Sequence, residues 1–199
     1  MSMRIYTMTH KKFTPLSDKL YVPLHVGRAS GEDFGYQGDD TGEQISALNC
    51  YYSELTGFYW IWKNCHDVDY VGTCHYRRYL INEKEQIYTE AEYRELLKKY
   101  DLVTTKKVQL NNSYYDGFSA NHNIRALEMT GKVIAEKYPE YADAFDTLVN
   151  GRQTYFGNIL VTSKKLFDEY ASWLFSIFFE VAERIELETG EDAYHKRVF

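Results

Sequence analysis

The chain has 199 residues, of which 44% are hydrophobic, with only 3 prolines and 12 glycines. This length and composition predict one globular domain over residues 1–199 and exclude a fibrous or disordered chain. The net charge of −6 argues against general binding to nucleic acid, which depends on many Lys and Arg side chains that neutralise phosphates. A basic site must therefore be local.

The cysteine content and the absence of long apolar runs favour the cytoplasm. Cys50, Cys65 and Cys74 cannot all pair within one chain, and no secretory leader precedes Arg4. No apolar run approaches the ~20 residues that are needed to cross a bilayer. Any contact with the membrane, for example at its inner face, would therefore be peripheral.

The chain begins with a predicted strand over residues 3–10, where side chains alternate, and the segment 11–16 ends it. The stretch from Leu24 to Gly42 contains several glycines and acids and predicts a long loop, a kind of segment that is often functional or mobile. Candidates for the edge of the first strand are Tyr6, Thr7 and His10.

The next segment predicts a helix from Ile45 to Trp62. Residues 41–44 match a capping box, and apolar residues then recur at three- and four-residue spacing. A polar and aromatic stripe runs about 100° around the helix from the apolar one. Such a helix can line a cleft, although a solvated flank with a partly buried Trp60 explains the stripe equally well. The stripe consists of Asn49, Ser53, Thr56, Trp60 and Lys63.

A short apolar strand, residues 70–74, runs directly into one imidazole and two guanidinium groups. His75, Arg77 and Arg78 would lie at its carboxyl edge, where open α/β sheets bind ligands. An arginine presents a planar fork of donors, so two of them beside a histidine suit a diphosphate. The alternative is that both arginines pair with acidic neighbours, since the chain has 29 Asp plus Glu.

The remaining segments alternate between helix and strand, which indicates an α/β fold. They are a helix with Tyr93 to Tyr100 on its inner face, a strand over 101–105, a polar loop over 106–120, helices over 123–138 and 141–149, a strand over 154–162 and a long helix from 163 to about 185.

Several blocks of residues together resemble a bacterial family of domains from capsular and exopolysaccharide biosynthesis clusters. Members of that family are described as glycosyltransferases or as glycosyltransferase-like. The blocks are Ile45–Asn49, Glu54–Asn64 and Gly72–Tyr79, and the segments Phe156–Val161 and Trp173–Phe175 also fit.

The resemblance implies a single α/β domain like that of nucleotide-diphospho-sugar transferases, the GT-A-like fold. It also implies a cytoplasmic enzyme that moves a sugar from a nucleotide-diphosphate donor to a growing capsular or exopolysaccharide. The acceptor would be a saccharide or a lipid-linked oligosaccharide. Family members continue beyond the end of this chain, so the domain could be truncated at its C-terminus.

The same resemblance implies positions for the donor. The first strand, with Tyr6, Thr7 and His10, would meet the nucleotide, and His75, Arg77 and Arg78 would meet the diphosphate. The polar side chains of the following helix complete the predicted donor site, and they are Asn49, Thr56, Trp60 and Lys63.

A divalent metal, Mn²⁺ or Mg²⁺, is a possible cofactor, but no ligands for it are assigned. Most folds of this kind carry an Asp-x-Asp motif directly after the strand that here ends in His75. Asp67 and Asp69 have that spacing but precede the strand, where turn formation is the alternative. Without a metal, the two arginines would neutralise the leaving group.

An inverting sugar transfer also needs a general base for the acceptor hydroxyl. The candidates are Asp116, Glu54 and His122, and Asp116 is preferred because a mobile polar loop could clamp an acceptor. Turn formation alone explains the Asp116-Gly117 pair equally well. His75 is the other predicted catalytic residue.

Two other functions remain open. A glycosyltransferase-like subunit could bind a nucleotide diphosphate in polysaccharide assembly without catalysing transfer. A phosphate-binding hydrolase that uses His75 would instead release free sugar phosphate.

Overall fold

A computed structural model of the chain describes residues 2–185, Leu187 and Phe199. The chain forms two compact units. The first comprises Met1–Asn49, Ser53–Lys106 and Phe156–Ala171, and the second comprises Cys50–Tyr52, Lys107–Tyr155 and Ser172–Phe199. The predicted single domain over residues 1–199 stays a prediction.

The elements follow one another along the chain with short connections. The strands are β1 (Met3–Thr9), β2 (Tyr21–His25), β3 (Gln37–Gly38), β4 (Tyr70–His75), β5 (Leu102–Thr104), β6 (Val108–Gln109), β7 (Gln153–Thr154) and β8 (Leu160–Ser163). The α-helices are α1 (Asn49–Tyr52), α2 (Leu55–Asn64), α3 (Glu90–Leu97), α4 (Tyr114–Ser119), α5 (Ile124–Lys137), α6 (Ala142–Asn150) and α7 (Lys164–Arg184). Turns of 3-10 helix lie at Arg28–Ser30, Ser46–Leu48 and Pro139–Tyr141.

A six-stranded mixed sheet forms the centre of the first unit, in the order β3-β2-β1-β4-β8-β5. The pairs β3-β2, β2-β1 and β1-β4 are parallel, whereas β8 runs antiparallel to both β4 and β5. The carboxyl ends of β1, β2 and β4 therefore meet the beginning of β8 at one edge of the sheet. The sheet and its helices confirm the predicted α/β class.

Strand β4 occupies the middle of this sheet because its residues are apolar or small. Val71 and Cys74 are buried. A Cβ on Gly72 would lie 2.7 Å from a methyl group of Val161 and 2.9 Å from the carbonyl oxygen of Leu160. The glycine thus lets β8 pack closely against β4, and this packing holds the residues that follow Cys74 in a fixed place.

The second unit is mainly helical. Val133 and Ile134 of α5 are buried with Ile177 and Val181 of α7. Strands β6 and β7 form a two-stranded antiparallel sheet. The helices predicted over 123–138 and 141–149 are confirmed as α5 and α6.

The continuous helix predicted from Ile45 to Trp62 is wrong. The segment begins with a 3-10 turn over Ser46–Leu48, and Ser53 then interrupts it between α1 and α2 with a backbone φ of 50°. A right-handed helix cannot continue through a residue in this conformation. No helix begins at residues 41–44, so the predicted capping box is wrong as well.

Other segments predicted as single features are subdivided. The predicted loop 24–42 includes the end of β2 and all of β3, and the predicted loop 106–120 includes β6 and α4. The predicted strand 154–162 is split between β7 and β8, which belong to different sheets. Gly157 and Asn158 have φ angles of 99° and 47°, which end the extended backbone between the two strands.

Helix α7 spans 21 residues and confirms the long helix predicted from residue 163. Within residues 2–185, neither α7 nor another helix combines the length and apolar character that crossing a bilayer requires. The cytoplasmic location stays a prediction.

Candidate functional site

His75 lies at the carboxyl end of β4, at the edge where the parallel strands end. Its backbone exchanges two hydrogen bonds with Arg78, which close a tight turn around Tyr76 and Arg77. The N–H of Tyr76 also donates to the carbonyl of Met8, so the turn is tied to β1. The order of residues in the sequence therefore places one imidazole and two guanidinium groups at the strand edge.

The His75 ring is largely withdrawn from water, with 20% of its side chain exposed. Burial lowers its pKa below the usual 6.5, and Arg78 and Arg77 lower it further, whereas Glu54 and a hydrogen bond to the Gly157 backbone raise it. The net direction is downward, so the ring is neutral at pH 7. Nε2 has no hydrogen-bond partner among the described residues. Of the two tautomers of the neutral ring, the one with its proton on Nδ1 leaves the Nε2 lone pair available to accept a hydrogen bond.

Glu54 lies next to this ring, at the start of α2. Its Oε1 is 3.7 Å from His75 Nε2 and accepts a hydrogen bond of 3.0 Å from Asn158 Nδ2. Asn158 precedes β8, and its carbonyl accepts from the buried Thr73 hydroxyl at 2.9 Å. Three separate segments of the first unit thus converge at the sheet edge. We call Glu54, His75 and Asn158 the edge cluster.

Arg77 and Arg78 extend from the edge cluster into solvent. Both side chains are exposed, and the Arg77 guanidinium lies over the Tyr76 ring at 5.0 Å from its centre. No carboxylate in the described part of the chain forms an ion pair with either arginine. Acidic neighbours among residues 2–185 therefore do not neutralise these two arginines.

A buried carboxylate, Asp39, holds α2 and the loop after β2 in place. It is fully buried and accepts from the backbone N–H groups of Gly27 and Arg28 and from the hydroxyls of Ser46 and Thr56. These donors satisfy the charge that burial would otherwise make costly. Because Thr56 lies two residues after Glu54, in the first turn of α2, this network also fixes the start of α2.

Aromatic side chains form a continuous arc around the carboxyl ends of β1, β2 and β4. Adjacent ring centres are 4.6–6.4 Å apart, and the His25 ring stacks on Phe34. Flat apolar faces with polar handles are typical of sites for sugars and nucleobases. We call these residues the aromatic arc, and they are His10, Tyr76, Phe13, Tyr36, Phe34 and His25.

Sequence reasoning missed much of this arrangement. Asp39, His25, Phe34 and Tyr36 lie in or beside β2 and β3, within a stretch predicted mainly as a loop. The usable signal was the short run Tyr21–His25, which reads as a strand apart from Pro23. In the sequence, Asn158 is marked only as part of the segment Phe156–Val161, which fits the family resemblance.

The predicted donor residues of β1 are placed differently from one another. Tyr6 is buried, with its hydroxyl accepting from Arg4, and Thr7 is buried with its hydroxyl 3.3 Å from Cys74 Sγ. His10 is exposed beyond the end of the strand and contacts Tyr76. The structure therefore brings His10 to the edge, whereas the side chains of Tyr6 and Thr7 make core contacts.

The predicted donor-binding residues of α1 and α2 form hydrogen bonds and an ion pair with nearby residues. Asn49 donates to the carbonyl of Ser53 and to the Thr56 hydroxyl. The Trp60 indole donates to Thr41, and the ammonium of Lys63 pairs with Glu43 at 3.0 Å. In this conformation these contacts hold the loop before α1 against α2, and a role for these residues in donor binding stays a prediction.

Asp116 and His122 belong to the second unit, whereas the edge cluster belongs to the first. Asp116 is in the first turn of α4 rather than in the flexible loop that was predicted. Its carboxylate accepts from the Ser113 hydroxyl, while its backbone N–H donates to the same hydroxyl. The His122 ring contacts Phe118. Their roles as the general base stay predictions.

Asp67 and Asp69 lie before β4, at the amino edge of the sheet. The Asp67 carboxylate receives two hydrogen bonds from Arg4, which hold its pKa below the usual range. Asp69 accepts from the backbone N–H of Ser2. Across the described residues, no group of three or more His, Cys, Asp or Glu is arranged to hold a metal ion.

These features define an α/β protein whose central sheet has a polar, cationic carboxyl edge, and comparison with known proteins assigns its family. The family described as Domain of unknown function (DUF4422) matches residues 4–199, so the chain belongs to that family. No curated protein matches the sequence significantly.

Among solved structures, the apo structure of the bifunctional glycosyltransferase WbbM matches with a TM-score of 0.88. The two sequences are 33% identical over 99% of this chain. The chain spans 40% of the length of that WbbM chain. This match confirms the predicted GT-A-like fold.

Proposed function

We propose that this chain is a glycosyltransferase domain that takes a nucleotide-diphosphate sugar and transfers the sugar to a saccharide. Arg77 and Arg78 carry the proposal, because they are exposed beside His75 without an ion-pair partner among the described residues. Two unneutralised guanidinium groups on a rigid turn offer a binding site for the oxygens of a diphosphate. The similarity to a structure of a glycosyltransferase supports the same function.

In this proposal the donor site has two parts, one for the base or the sugar and one for the diphosphate. The aromatic arc offers faces for a base or a sugar, and the two arginines lie on the turn that carries Tyr76 of that arc. Positive charge that is already in place stabilises the diphosphate as it leaves, because no reorganisation is needed during the reaction. His75 lies between these arginines and Glu54, where the sugar would react.

The setting of the reaction is part of the proposal. The product would be a bacterial capsular polysaccharide or exopolysaccharide, made in the cytoplasm or at the inner face of the membrane. A saccharide or a lipid-linked oligosaccharide would be the acceptor. A bound Mn²⁺ or Mg²⁺ would add positive charge at the diphosphate, and the test below compares binding with and without it.

The test measures thermal shift and calorimetric binding of UDP, GDP and CMP, and of their sugars, with and without Mn²⁺. We expect one nucleoside diphosphate to stabilise the wild-type protein, and Arg77→Ala to weaken its binding at least tenfold. Arg125→Ala removes an exposed arginine of the second unit and should bind normally.

Three results would contradict the proposal. A folded wild-type protein that binds none of these ligands has no donor site. Binding without release of the nucleotide from any donor sugar would instead show a non-catalytic binding subunit. Release of free sugar phosphate would indicate a hydrolase.

A further inference from the structure

The edge cluster contains an unfilled proton-accepting position. His75 Nε2 is buried and lacks a hydrogen-bond partner among the described residues. The nearest carboxylate oxygen, Oε1 of Glu54, is 3.7 Å away. In the tautomer with the proton on Nδ1, Nε2 and the carboxylate oxygen both accept hydrogen bonds, so neither satisfies the other. A hydroxyl group beside them would supply the missing donor.

The backbone around the cluster is held in an uncommon conformation. Ser53, directly before Glu54, has a φ of 50°, and Gly157 and Asn158 have φ angles of 99° and 47°. Positive φ in a residue other than glycine is uncommon, and such strain is concentrated at functional sites. One of these turns carries Glu54, whose carboxylate is 3.7 Å from the His75 ring, and the other carries Asn158, whose amide binds that carboxylate.

Hydrogen bonds to buried groups keep both turns in place. The Ser53 carbonyl accepts from the side chains of Asn49 and Thr56, and Thr56 is bound to the buried Asp39. The hydroxyl of Thr73 binds the carbonyl of Asn158 and accepts from the N–H of Leu160. The geometry of the cluster is thus supported by the sheet rather than by exposed loops.

We propose that Glu54 and His75 form a catalytic pair that accepts the proton of the acceptor hydroxyl, and that Asn158 positions Glu54. This inference rests on the proposed glycosyltransferase function. The O–H bond of the acceptor breaks and its proton moves to Nε2 of His75, while the oxygen forms a bond to the anomeric carbon of the donor. The bond from that carbon to the phosphate oxygen breaks, and its electron pair leaves with the nucleoside diphosphate.

The charges around the pair suit these steps. The imidazolium formed by proton transfer has the Glu54 carboxylate 3.7 Å away, which stabilises its new charge. Burial first, and then Arg78 and Arg77, disfavour the charged ring before the reaction, and this keeps His75 neutral and able to accept a proton. The proton then passes to solvent after the product has left.

The test begins with Glu54→Gln, which keeps the size of the side chain but removes its charge. Turnover is followed as UDP or GDP released from UDP-glucose, UDP-galactose and GDP-mannose, with methyl hexosides or water as acceptor. We expect kcat to fall about 100-fold, because the imidazolium formed at His75 loses the carboxylate that stabilises it, while nucleotide affinity changes less than twofold. Glu95→Gln, at an exposed glutamate of α3, is the matched control and should keep wild-type turnover.

Asn158 is tested with two variants that both tolerate its positive φ. Asn158→Gly removes the amide that holds Glu54, and we expect kcat to fall about tenfold with an unchanged KM for the donor. Asn158→Asp keeps the shape but places a second carboxylate beside Glu54. Equal unfolding midpoints for both variants and the wild type would show that the loss does not come from instability.

The pH dependence separates a catalytic pair from a structural contact. The groups that face His75 are Glu54, Arg77, Arg78 and the Gly157 backbone. Glu54→Gln removes a negative charge, so the acid limb of the rate profile should move to lower pH. Asn158→Asp adds one, so the limb should move to higher pH. An NMR titration of the His75 ring, identified by its loss in His75→Gln, should show the same opposite shifts without any substrate.

The outcomes distinguish the two levels of the proposal. If the wild-type protein neither binds nor turns over a nucleotide sugar, the glycosyltransferase function fails, and the catalytic pair fails with it. If the wild type is active but Glu54→Gln stays within threefold of its kcat, only the pair is overturned. The proposed pair is also overturned if neither Glu54→Gln nor Asn158→Asp shifts the NMR titration of His75 or the acid limb of the rate profile.

Discussion

At the scale of single residues, two histidines at the carboxyl edge are kept uncharged by their surroundings. His25 is 3% exposed and stacks on Phe34, and Nδ1 of its ring has no hydrogen-bond partner among the described residues. The side chain of His75 is largely buried beside Glu54, another member of the edge cluster. Burial lowers the pKa of both rings below 6.5. Each ring therefore carries one nitrogen lone pair at neutral pH.

The same pKa shifts predict a loss of stability in weak acid. Between the folded and the unfolded pKa, the unfolded chain binds more protons, so the free energy of unfolding falls as the pH drops below about 6.5. We expect the urea midpoint to fall between pH 7 and pH 5.5, and His75→Gln to reduce this fall. His66→Gln, at an exposed ring, is the control. An identical pH dependence in wild type and His75→Gln would contradict the prediction.

At the scale of elements, helix α2 connects the edge cluster to the sheet. Gly57 allows this close packing, since an added Cβ would lie 2.8 Å from Val26 Cγ1 and 3.1 Å from Met8 Cε. The Thr56 hydroxyl binds the buried Asp39, and the rings of Phe58 and Phe167 stack at 5.5 Å. The position of Glu54 thus depends on how closely its helix approaches β1 and β2.

Gly57→Ala tests this dependence. Alanine is the better helix former, by about 1 kcal/mol, yet we expect the substitution to lower the free energy of unfolding by about 1–3 kcal/mol, because the methyl group overpacks a buried contact. Gly117→Ala in α4 is the matched control, since its Cβ would meet nothing within 4 Å, and it should stabilise the protein. The measurement is chemical unfolding in urea. A stabilising Gly57→Ala would show that α2 can move away from the sheet.

At the scale of the whole molecule, a chain with a net charge of −6 carries exposed positive charge at one place on its sheet edge. A nucleoside diphosphate would be repelled by the overall charge and attracted by Arg77 and Arg78. Charges in solution are screened beyond about 8 Å at 0.15 M salt, so the local arginines would dominate at physiological ionic strength. The proposed donor site is therefore defined by the placement of charge rather than by composition.

This balance predicts the salt dependence of binding. We expect the Kd of UDP or GDP, whichever binds, to rise severalfold between 50 and 500 mM NaCl, because salt screens exposed charges. The dependence should be clearly weaker in Arg77→Ala and unchanged in Arg125→Ala. Isothermal titration calorimetry measures all three. A wild-type affinity that does not respond to salt would show that the arginines do not contact the diphosphate.

The sequence by itself determined the features that depend on neighbouring residues. The α/β class, the helices α5 and α7 and the strand before His75 follow from local apolar patterns, and Arg77 and Arg78 follow that strand directly. The strand β2 was missed because Pro23 interrupts a run of only five residues, and the helix break at Ser53 was missed because one residue with positive φ leaves no sign in the apolar periodicity.

Only the tertiary structure decided which polar residues act together. Glu54 and Asn158 are 104 positions apart, yet they are joined because β8 runs antiparallel to β4 and begins where β4 ends. Asp39 similarly meets Thr56 only because β2 and β3 lie beside the strand on which α2 packs. Hydrophobic burial sets the order of the strands, and that order brings distant polar side chains to one edge, where no local pattern in the sequence marks them as partners.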